Sequence, residues 1–583
     1  MESDKIHLKK RRKRTLKSND HDLGVKGMSL EHEKRSTSTK ARTACVPQSS
    51  YFSELLETLK WLWIALGVAV LGYSGYWFAW YIQTLHENQM WFTNIRQVER
   101  EISLRTECGL YYSYYKQLVN SSTFIQGFRD LQNDNVTENA RTINILKRFN
   151  IYQEVFLAWL YRILPQKWQN EPILFYVYSI FKLNGFYVSV LFALTWFMCG
   201  DGVNWLPGLL SAVFFTVNLT DSTRVYFTIN LRECFGFPIL WCQILFICIY
   251  MKCEGLDERR QKSYDFAKDV VLSLAILIST FLFALTWQFN QFIMLLQSGS
   301  IYAIGLLHLI PEWKVRRLLL LELSALLLAC LTQFGQPMLL GSLLVAFVPG
   351  AVLSLCICRQ WTISGGVVNG SLKLVIQACF TLILTFFVHF CFKKMLQLDA
   401  DDHIFKFLKG KFGFADPRDF ESRIYLCHGA FFFLENDFYL RTSNTLVFPL
   451  YVLMLCGCLV ILGKDIMFEW CSLTSSKTKY ASPDTADITD KIFYFNRRPE
   501  LAYLLIQSIA SGFLAMMALR MKYLWTPHLC VLAAMSLGDS DIWTTLIAKF
   551  RVKSAKLWSF LLTSTLCTAL SMGLIFNYKP VYE

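Results

Sequence analysis

Thirteen apolar segments, separated by polar links, restrict the fold of this 583-residue sequence more than any other feature. An α-helix needs about 20 apolar residues to cross the hydrocarbon core of a bilayer, and most of these segments approach or exceed that length. The segments are Trp61–Leu85, Pro172–Met198, Trp205–Asn218, Phe237–Met251, Val270–Leu285, Ile293–Ile310, Leu318–Leu331, Met338–Cys358, Val375–Phe392, Leu446–Leu462, Ala502–Leu519, Leu529–Ile547 and Trp558–Phe576. The sequence therefore predicts an all-α polytopic membrane protein with about 13 transmembrane helices.

The composition agrees with a chain that lies mostly in lipid. Hydrophobic residues make up 54% of the sequence and charged residues only 17%, whereas soluble domains carry about 25% charged residues. This composition excludes an ordinary soluble enzyme. The 18 cysteines are scattered, many of them within apolar segments, and no CxxC pair repeats at the spacing of a zinc site. No metal centre is therefore predicted.

The N-terminal region is too polar and too basic to enter the membrane. Residues 1–45 hold 13 Lys or Arg against 6 Asp or Glu, and Leu8–Arg14 reads LKKRRKR. In a soluble protein such a run would indicate nuclear import or nucleic-acid binding. Ahead of a membrane span it is better explained as the positive-inside determinant of a disordered cytosolic tail. We therefore predict a tail at 1–58, a multi-spanning domain at 59–583 and no nucleic-acid partner.

Counting the crossings from a cytosolic N-terminus assigns each polar link to one side of the membrane. Luminal loops are predicted at about 86–171, 219–236 and 393–445, and a cytosolic loop at about 464–499. The C-terminus then falls on the luminal side. The short basic links fall on the cytosolic side, in agreement with the positive-inside tendency.

The first luminal loop carries two glycosylation sequons and one short apolar stretch. The sequons, at Asn120 and Asn135, are compatible with a luminal face. A further sequon at Asn369 falls in a predicted cytosolic link, so no glycan is expected there. Ile151–Leu164 is too short to cross easily, and we interpret it as an amphipathic helix that lies in the membrane interface.

Polar residues suited to a reaction beside the bilayer collect in the luminal links. The segment Glu99–Lys116, EREISLRTECGLYYSYYK, interleaves carboxylates with guanidinium groups and tyrosines. A carboxylate at such a site can act as a base, but solvated surface glutamates and a Glu101–Arg105 pair on one helix face are open alternatives. The candidates from this segment and from the second luminal loop are Glu101, Glu107, Tyr111, Tyr112, Arg224, Arg232 and Glu233.

A cationic group lies in a later luminal link. Arg520, Lys522 and His528 are placed at the luminal end of a crossing, where positive charge runs against the positive-inside tendency. An anionic lipid headgroup or a phosphate leaving group would account for this charge, and snorkelling of single side chains to the interface is the alternative. Gln288 and Gln291, in another luminal link, either bind a sugar or belong to a plain interfacial loop. Together these residues indicate glycosyl transfer from a lipid-phosphate sugar.

Six stretches between about residues 80 and 540 carry a family resemblance. They read HENQMWFTNIRQVEREISLRTECGLYYSYYK, TINILKRFNIYQEVFLAWLYR, TRVYFTINLRECFGFP, FLFALTWQFNQF, DDHIFKFLKGKFGF and RMKYLWTPHLCVLAA. In this order they resemble the dumpy-nineteen-like protein C-mannosyltransferases, with a particular resemblance to the third vertebrate paralogue of that family.

The resemblance implies an endoplasmic reticulum enzyme of the GT-C glycosyltransferase class. Such an enzyme moves mannose from dolichyl phosphate mannose to carbon 2 of a tryptophan indole, in WxxW-type motifs of secretory or membrane proteins. With this lipid-monophosphate donor, no metal or other cofactor is expected. The family's catalytic residue maps to Glu107, with Glu101 in reserve.

The remaining candidates are assigned to the two substrates. We expect the donor phosphate to be held by Arg520, Lys522 and His528. Acceptor or sugar binding is assigned to Arg224, Arg232, Glu233, Tyr111, Tyr112, Gln288 and Gln291, with Arg232 stacked on a second tryptophan of the motif.

One feature departs from the family pattern. Family members continue past the last crossing into a sizeable luminal domain, whereas this sequence ends at Glu583, soon after its last apolar segment. We therefore expect acceptor binding to be affected. Two alternatives to a glycosyltransferase stay open, a non-catalytic scaffold and a polytopic transporter that uses the same polar groups to pass a solute.

Overall fold

A computed structural model provides the fold. It describes residues 48–91, 95–139, 141–165, 167, 169–200, 202–252, 266–358, 367–396, 409–414, 420–475, 498–549 and 554–577. The predictions for the basic tail before residue 48, for most of the cytosolic loop (476–497), for parts of the third luminal loop (397–408 and 415–419) and for the last residues of the chain (578–583) lie outside these ranges. The chain divides into two units after Thr58, and the contacts described below lie within the second unit, Leu59–Glu583.

Helices provide nearly all of the regular structure in the described ranges. The first half contains α1 (Gln48–Gln89), α2 (Gln97–Ile102), α3 (Glu107–Asn120), α4 (Phe124–Gln132), α5 (Ile145–Arg148), α6 (Tyr152–Ile163), α7 (Pro172–Met198), α8 (Leu206–Val217), α9 (Leu219–Ser222), α10 (Arg232–Lys252), α11 (Phe266–Thr286) and α12 (Asn290–Leu306). The second half contains α13 (Glu312–Thr332), α14 (Pro337–Leu340), α15 (Leu343–Cys358), α16 (Val367–Leu396), α17 (Phe420–Cys427), α18 (Asn436–Asn444), α19 (Val447–Ser475), α20 (Pro499–Met517), α21 (Lys522–Gly538), α22 (Ser540–Lys549) and α23 (Ala555–Asn577). Short 3₁₀ turns cover Gly429–Phe431 and Leu519–Met521.

The prediction of an all-α polytopic membrane protein is confirmed. Within the described residues, nine helices are long and apolar enough to cross a membrane. They are Glu57–Gln89, Pro172–Met198, Arg232–Lys252, Ala267–Thr286, Pro337–Cys358, Val367–Met395, Val447–Phe468, Pro499–Met517 and Ala555–Asn577. The other four predicted crossings coincide with helices that are shorter or more polar, namely α8, α12, α13 and α21.

The predicted crossing Leu529–Ile547 is wrong as a single helix. The chain ends α21 at Gly538 and begins α22 at Ser540. Asp539 between them is fully buried, and its Oδ1 accepts the backbone N–H groups of Asp541 and Ile542 at 3.0 and 3.3 Å. This carboxylate caps α22, because side-chain oxygens satisfy the free N–H groups at a helix start. An ion pair between Asp539 and Arg498 holds the turn in place.

The stretch predicted to lie in the membrane interface forms α6, with an unusual distribution of residues. Its buried face carries Gln153 and Glu154, whereas Phe156, Trp159 and Ile163 are 45% to 60% exposed. A water-facing helix would place these groups the other way round. The exposed aromatic face fits the predicted position at the level of the lipid headgroups.

Segments predicted to share a side of the membrane do contact each other. The first and second predicted luminal loops meet where the ring Nδ1 of His86 lies 3.1 Å from the carbonyl oxygen of Tyr226. Links predicted to be cytosolic meet through the ion pair between Asp269 and Arg317. Links predicted to lie on the same side of the membrane therefore contact each other, in agreement with the predicted alternation. Which of the two sides is luminal stays a prediction.

Candidate active site

The candidate site is a group of charged side chains at the end of the helices predicted to be luminal. We call it the charge cluster and define it as Glu107, Asp221, Arg224, Glu233, Arg441, Arg520 and Lys522. Glu107 is the first residue of α3 and Glu233 the second of α10. Carboxylates are stabilised at these positions because the helix dipole places positive partial charge at an N-terminus.

Asp221 connects two cations from distant parts of the chain. Its side chain is 1% exposed and accepts from Arg441 Nε and Nη2 at 2.8 and 2.9 Å. Lys522 Nζ donates to the same carboxylate at 2.7 Å. Although burial alone would raise the pKa of Asp221, the hydrogen bonds from Arg441 and Lys522 hold that pKa below its usual value. Asp221 therefore stays ionised and ties α9 to α18 and α21.

Glu233 and Arg520 form the second ion pair of the charge cluster. Arg520 Nε donates to Glu233 Oε1, and the Oε2 of Glu233 has no hydrogen-bond partner among the described residues. Burial alone would lower the pKa of Arg520, but Glu233 and, more weakly, Glu107 raise it. Both predicted phosphate-binding cations, Arg520 and Lys522, are thus already paired with a carboxylate.

Arg224 has a different environment. Its guanidinium carbon lies 5.6 Å from the ring centre of Phe227 and 5.8 Å from that of Tyr523. Among the described residues no carboxylate forms an ion pair with it. Arg224, Glu233 and Tyr523 line a cavity of about 10 Å³, which is room for a single water molecule. Arg224 therefore lies close to two aromatic rings and, among the described residues, forms no ion pair with a carboxylate.

Glu107, the predicted catalytic residue, is exposed and has no ion pair or side-chain hydrogen bond within the described ranges. Glu107 does not pair with Lys116, whose Nζ lies 2.6 Å from Glu101 Oε2. Glu101 also accepts the hydroxyl of Tyr112 at 2.9 Å. The reserve candidate therefore has a structural role, and Glu107 is the carboxylate of the segment left available.

Arg232 is not available to stack on an acceptor tryptophan, contrary to the prediction. Its Nη1 donates to Glu154 Oε1 and Oε2 at 2.9 and 3.0 Å, and its guanidinium carbon lies 3.3 Å from the ring centre of Tyr111. The Arg232 side chain is 6% exposed and that of Glu154 is not exposed at all. Arg232 is thus a buried support for Tyr111, which is itself 8% exposed.

A chain of hydrogen bonds extends from this ion pair to the start of α3. The hydroxyl of Tyr176 donates to Glu154 at 3.2 Å. The Asn230 side-chain amide donates to the Tyr176 hydroxyl at 3.1 Å and to the carbonyl oxygen of Cys108 at 2.8 Å. Because Cys108 follows Glu107 directly, this chain fixes the backbone that carries the candidate catalytic carboxylate.

Tyr112 does not line an open acceptor pocket, contrary to the prediction. It is 4% exposed, and its ring packs against Tyr115 and Tyr176 at centre distances of 5.8 and 5.5 Å. Burial is the largest cause that raises the pKa of Tyr112, followed by its hydrogen bond to Glu101. Tyr112 therefore belongs to the core beneath the site.

His528 does not lie with Arg520 and Lys522, contrary to the prediction. It is 1% exposed, and its ring packs against Trp241 at 4.6 Å. His528 lies six residues beyond the start of α21 at Lys522, which places it about 9 Å deeper along the helix axis. It is part of the packing between helices and cannot hold a phosphate at the surface of the site.

The two glutamines lie in the link between α11 and α12. Gln288 is exposed, and its amide lies 3.7 Å from the sulfur of Met338. Gln291 is 6% exposed, and its Oε1 has no hydrogen-bond partner among the described residues. No described contact joins either glutamine to the charge cluster, so their role in sugar binding stays a prediction.

Both sequons of the first luminal loop are accessible. Asn120, the last residue of α3, and Asn135 are exposed. Their glycosylation stays a prediction.

Comparisons with known proteins identify the family. The family model described as Dpy19, Q-cell neuroblast polarisation, matches residues 72–580. The human protein named "Probable C-mannosyltransferase DPY19L4" is 28% identical over 95% of this chain and 74% of its own length. The human "Protein C-mannosyl-transferase DPY19L1" is 30% identical over 81% and 68%, and the Caenorhabditis briggsae "C-mannosyltransferase dpy-19" is 30% identical over 84% and 69%.

One solved structure is a more remote match. The archaeal oligosaccharyltransferase AglB from Archaeoglobus fulgidus, in complex with an inhibitory peptide and a dolichol-phosphate, is 12% identical, covers 80% of this chain and 51% of its own, and has a TM-score of 0.46. That likeness is too distant to support an argument about the site. The family match covers most of the chain, and it confirms what the six sequence stretches indicated: this multi-pass membrane protein belongs to the Dpy19 family, whose named relatives here are C-mannosyltransferases.

Proposed function

We propose that this chain transfers mannose from dolichyl phosphate mannose to carbon 2 of a tryptophan indole, in WxxW-type motifs of secretory or membrane proteins. The observation that carries the proposal is the pairing pattern of the charge cluster. Glu107 is exposed and free of ion pairs in the described part of the chain, and it lies close enough to the Arg520 guanidinium to affect its pKa. The names of the matched relatives support a C-mannosyltransferase.

The reaction needs a group that receives a proton from carbon. The indole carbon attacks the anomeric carbon of mannose while the bond from that carbon to the phosphate oxygen breaks. The indole ring becomes cationic, and its aromaticity returns when the proton on carbon 2 leaves. The Glu107 carboxylate stabilises the cation and accepts this proton, a contribution typically of order 10²–10⁴ in rate.

The reaction also needs a group that stabilises the departing dolichyl phosphate. Arg224, which the sequence analysis assigned to acceptor or sugar binding, suits this task because its guanidinium lies close to the rings of Phe227 and Tyr523 and forms no ion pair with a carboxylate among the described residues. A guanidinium binds phosphate oxygens in a two-pronged fashion. Arg520 and Lys522 add positive charge nearby, although each is shared with a carboxylate. In this proposal the protein supplies the charge itself, and no metal or other cofactor takes part.

The proposal places the charge cluster at the luminal face of the endoplasmic reticulum membrane, with the N-terminus cytosolic and the C-terminus luminal. Glycan mapping tests this orientation. Glycans on Asn120 and Asn135 are expected, and none on Asn369. A glycan on Asn369 alone would show that the topology is inverted. The charge cluster would then lie on the cytosolic side of the membrane and not on the side proposed for the donor.

The transfer itself is tested with purified chain in lipid nanodiscs, dolichyl phosphate mannose and a peptide that carries a WxxW motif. We expect a peptide product heavier by one hexose, whose sugar resists glycosidic cleavage because it is bound through carbon. A peptide with phenylalanine in place of tryptophan is the control. The variant Glu107→Gln keeps the size of the side chain but cannot accept the proton, so it should lose the reaction while it still binds the donor.

The alternatives predict different results in the same experiment. If the protein is a scaffold, neither the wild-type chain nor the Glu107→Gln variant would give a hexose product. A transporter would pass solute across sealed liposomes without a lipid-linked sugar. A wild-type rate in the Glu107→Gln variant would exclude Glu107 as the base.

A further inference from the structure

A groove lined by both polar and apolar side chains lies far from the charge cluster. This open groove of about 490 Å³ lies between the first turns of α13 and the last turns of α15. It is lined by Trp313, Arg316, Arg317, Leu320, Leu321, Ser324, Val352 and Cys356. Its volume is in the range of sites that hold small molecules.

The groove is polar at one end and apolar at the other. Arg316 lies one turn from the start of α13, and its Nη1 is 3.5 Å from the Cys356 sulfur. Trp313 is 37% exposed and Leu320 49% exposed. Because a helix rises about 1.5 Å per residue, the lining from Trp313 to Ser324 spans roughly 16 Å of depth. That is enough to pass from a headgroup region into the hydrocarbon.

The charges at the polar end differ in their pairing. Arg317 is bound to Asp269 and lies 5.2 Å from the ring centre of Trp313. Lys314, in the same turn of α13, is buried against Tyr250. No carboxylate pairs with Arg316 among the described residues. The groove therefore presents the guanidinium of Arg316 above an exposed apolar floor, while Arg317 is neutralised by Asp269 and Lys314 is buried.

The groove cannot be the donor site. It lies at the start of α13, whereas the other end of that helix is bound to α6 through the Tyr152 hydroxyl and the Thr332 carbonyl. The α6 helix also carries Glu154, which supports the charge cluster. With 21 residues in α13, the two ends are about 30 Å apart. This is the thickness of the hydrocarbon core.

We propose that this groove binds an anionic glycerophospholipid of the opposite membrane leaflet, with its phosphate on Arg316 and an acyl chain along Leu320, Leu321 and Val352. Basic pockets between transmembrane helices on the cytosolic side recognise anionic headgroups. Tryptophan at the rim of the groove suits the same level of the membrane. Charge complementarity and the apolar floor select a lipid, rather than a soluble anion, as the occupant.

The binding is tested in nanodiscs of phosphatidylcholine alone and in nanodiscs with equal parts of phosphatidylserine. Cys356 is exposed in the groove and reports occupancy through its rate of alkylation, measured by peptide mass spectrometry. Cys427 is exposed outside the groove and is the internal control. We expect phosphatidylserine to slow the alkylation of Cys356 and leave that of Cys427 unchanged.

Variants separate the groove from general surface charge. Arg316→Gln should weaken retention of phosphatidylserine about fivefold in native mass spectrometry, from the usual contribution of one basic residue near a membrane surface. Arg316→Lys keeps the charge and should retain most of the binding. Lys556→Gln removes an exposed charge at the same predicted membrane face, outside the groove, and should have no effect.

Three outcomes would overturn the proposal. Equal alkylation of Cys356 in both kinds of nanodisc would show that no anionic lipid occupies the groove. Equal protection by inorganic phosphate in phosphatidylcholine nanodiscs would show a soluble-anion site. Protection that rises with protein concentration, in the absence of phosphatidylserine, would show that a second copy of the chain covers the groove.

Discussion

Replacement of Arg224 by glutamine tests the proposed leaving-group site most directly. Arg224 is half-buried, and its guanidinium carbon lies 5.6 Å from the ring centre of Phe227 and 5.8 Å from that of Tyr523. It therefore needs little reorganisation as negative charge develops on the phosphate. The loss of one preorganised donor at a developing anion typically costs 10²–10³ in kcat, or about 3–4 kcal/mol. We expect the Arg224→Gln variant to fall in that range, with a smaller rise in KM for dolichyl phosphate mannose.

The matched control is Arg441→Gln, which removes the same charge from the same cluster. The Arg441 side chain is 46% exposed, and its partner Asp221 keeps Lys522 at 2.7 Å when Arg441 is lost. We expect less than a tenfold loss of kcat, since an exposed charge is screened by solvent. Arg224→Lys should lie between wild type and Arg224→Gln, because an ammonium keeps the charge but not the two-pronged geometry.

The assay is single-turnover transfer to a tryptophan peptide at saturating donor, with quantities of folded protein matched by size-exclusion chromatography. Equal losses in Arg224→Gln and Arg441→Gln would refute the reasoning, because the total charge of the site would then matter and not the position of Arg224. A loss in Arg224→Gln that appears only in KM would move Arg224 from stabilising the leaving group to binding the donor.

Three further predictions concern other parts of the site. Glu154→Ala should destabilise the protein by about 3–5 kcal/mol, because Arg232 then remains buried without its partner. The thermal unfolding midpoint in nanodiscs measures this loss. An unchanged midpoint would show that water replaces the carboxylate. His528→Ala should leave the KM for the donor unchanged, since the ring is buried away from Arg520, and a tenfold rise in KM would return His528 to the phosphate site. Asn120→Gln should increase electrophoretic mobility by one glycan, and unchanged mobility would show that this sequon is not used.

Alternation of the links across the membrane was enough to predict much of the charge cluster. It assigned Glu107, Arg224, Glu233 and Arg520 to one side, although they come from three different links. Such a prediction relies on the order and number of the apolar segments and not on the exact bounds of each one, because every crossing takes the chain to the other side of the membrane. The count does not specify which charges pair.

The pairing of Asp221 with Arg441 was not predictable from the sequence. The two residues are 220 positions apart, and Lys522 lies 301 positions from the same carboxylate. No local spacing connects them. Asp221 lies in the predicted luminal loop 219–236, and its position in this polar loop between two apolar segments was the only signal that could have drawn attention to it.

The errors at Arg232 and His528 have one physical cause. The apolar segments were predicted to begin at Phe237 and Leu529, but the helices begin at Arg232 and Lys522. A polar first turn is buried where a partner from another link neutralises it, as Glu154 neutralises Arg232. Hydropathy places such residues in a loop and exposes them, whereas the structure places them in the packed end of a helix.

The pairing pattern also explains how the site can favour the transition state over the bound donor. The charge cluster has four cations and three carboxylates, so it carries one net positive charge. The donor phosphodiester has a single negative charge, whereas the departing phosphate monoester takes on a second, with a pKa of about 6. Only Arg224 has no carboxylate partner among the described residues of the cluster. The second negative charge of the phosphate can therefore interact with Arg224 without disrupting an existing ion pair. An interaction that strengthens as the bond breaks raises kcat and not merely affinity, and in the proposed reaction we assign that role to Arg224.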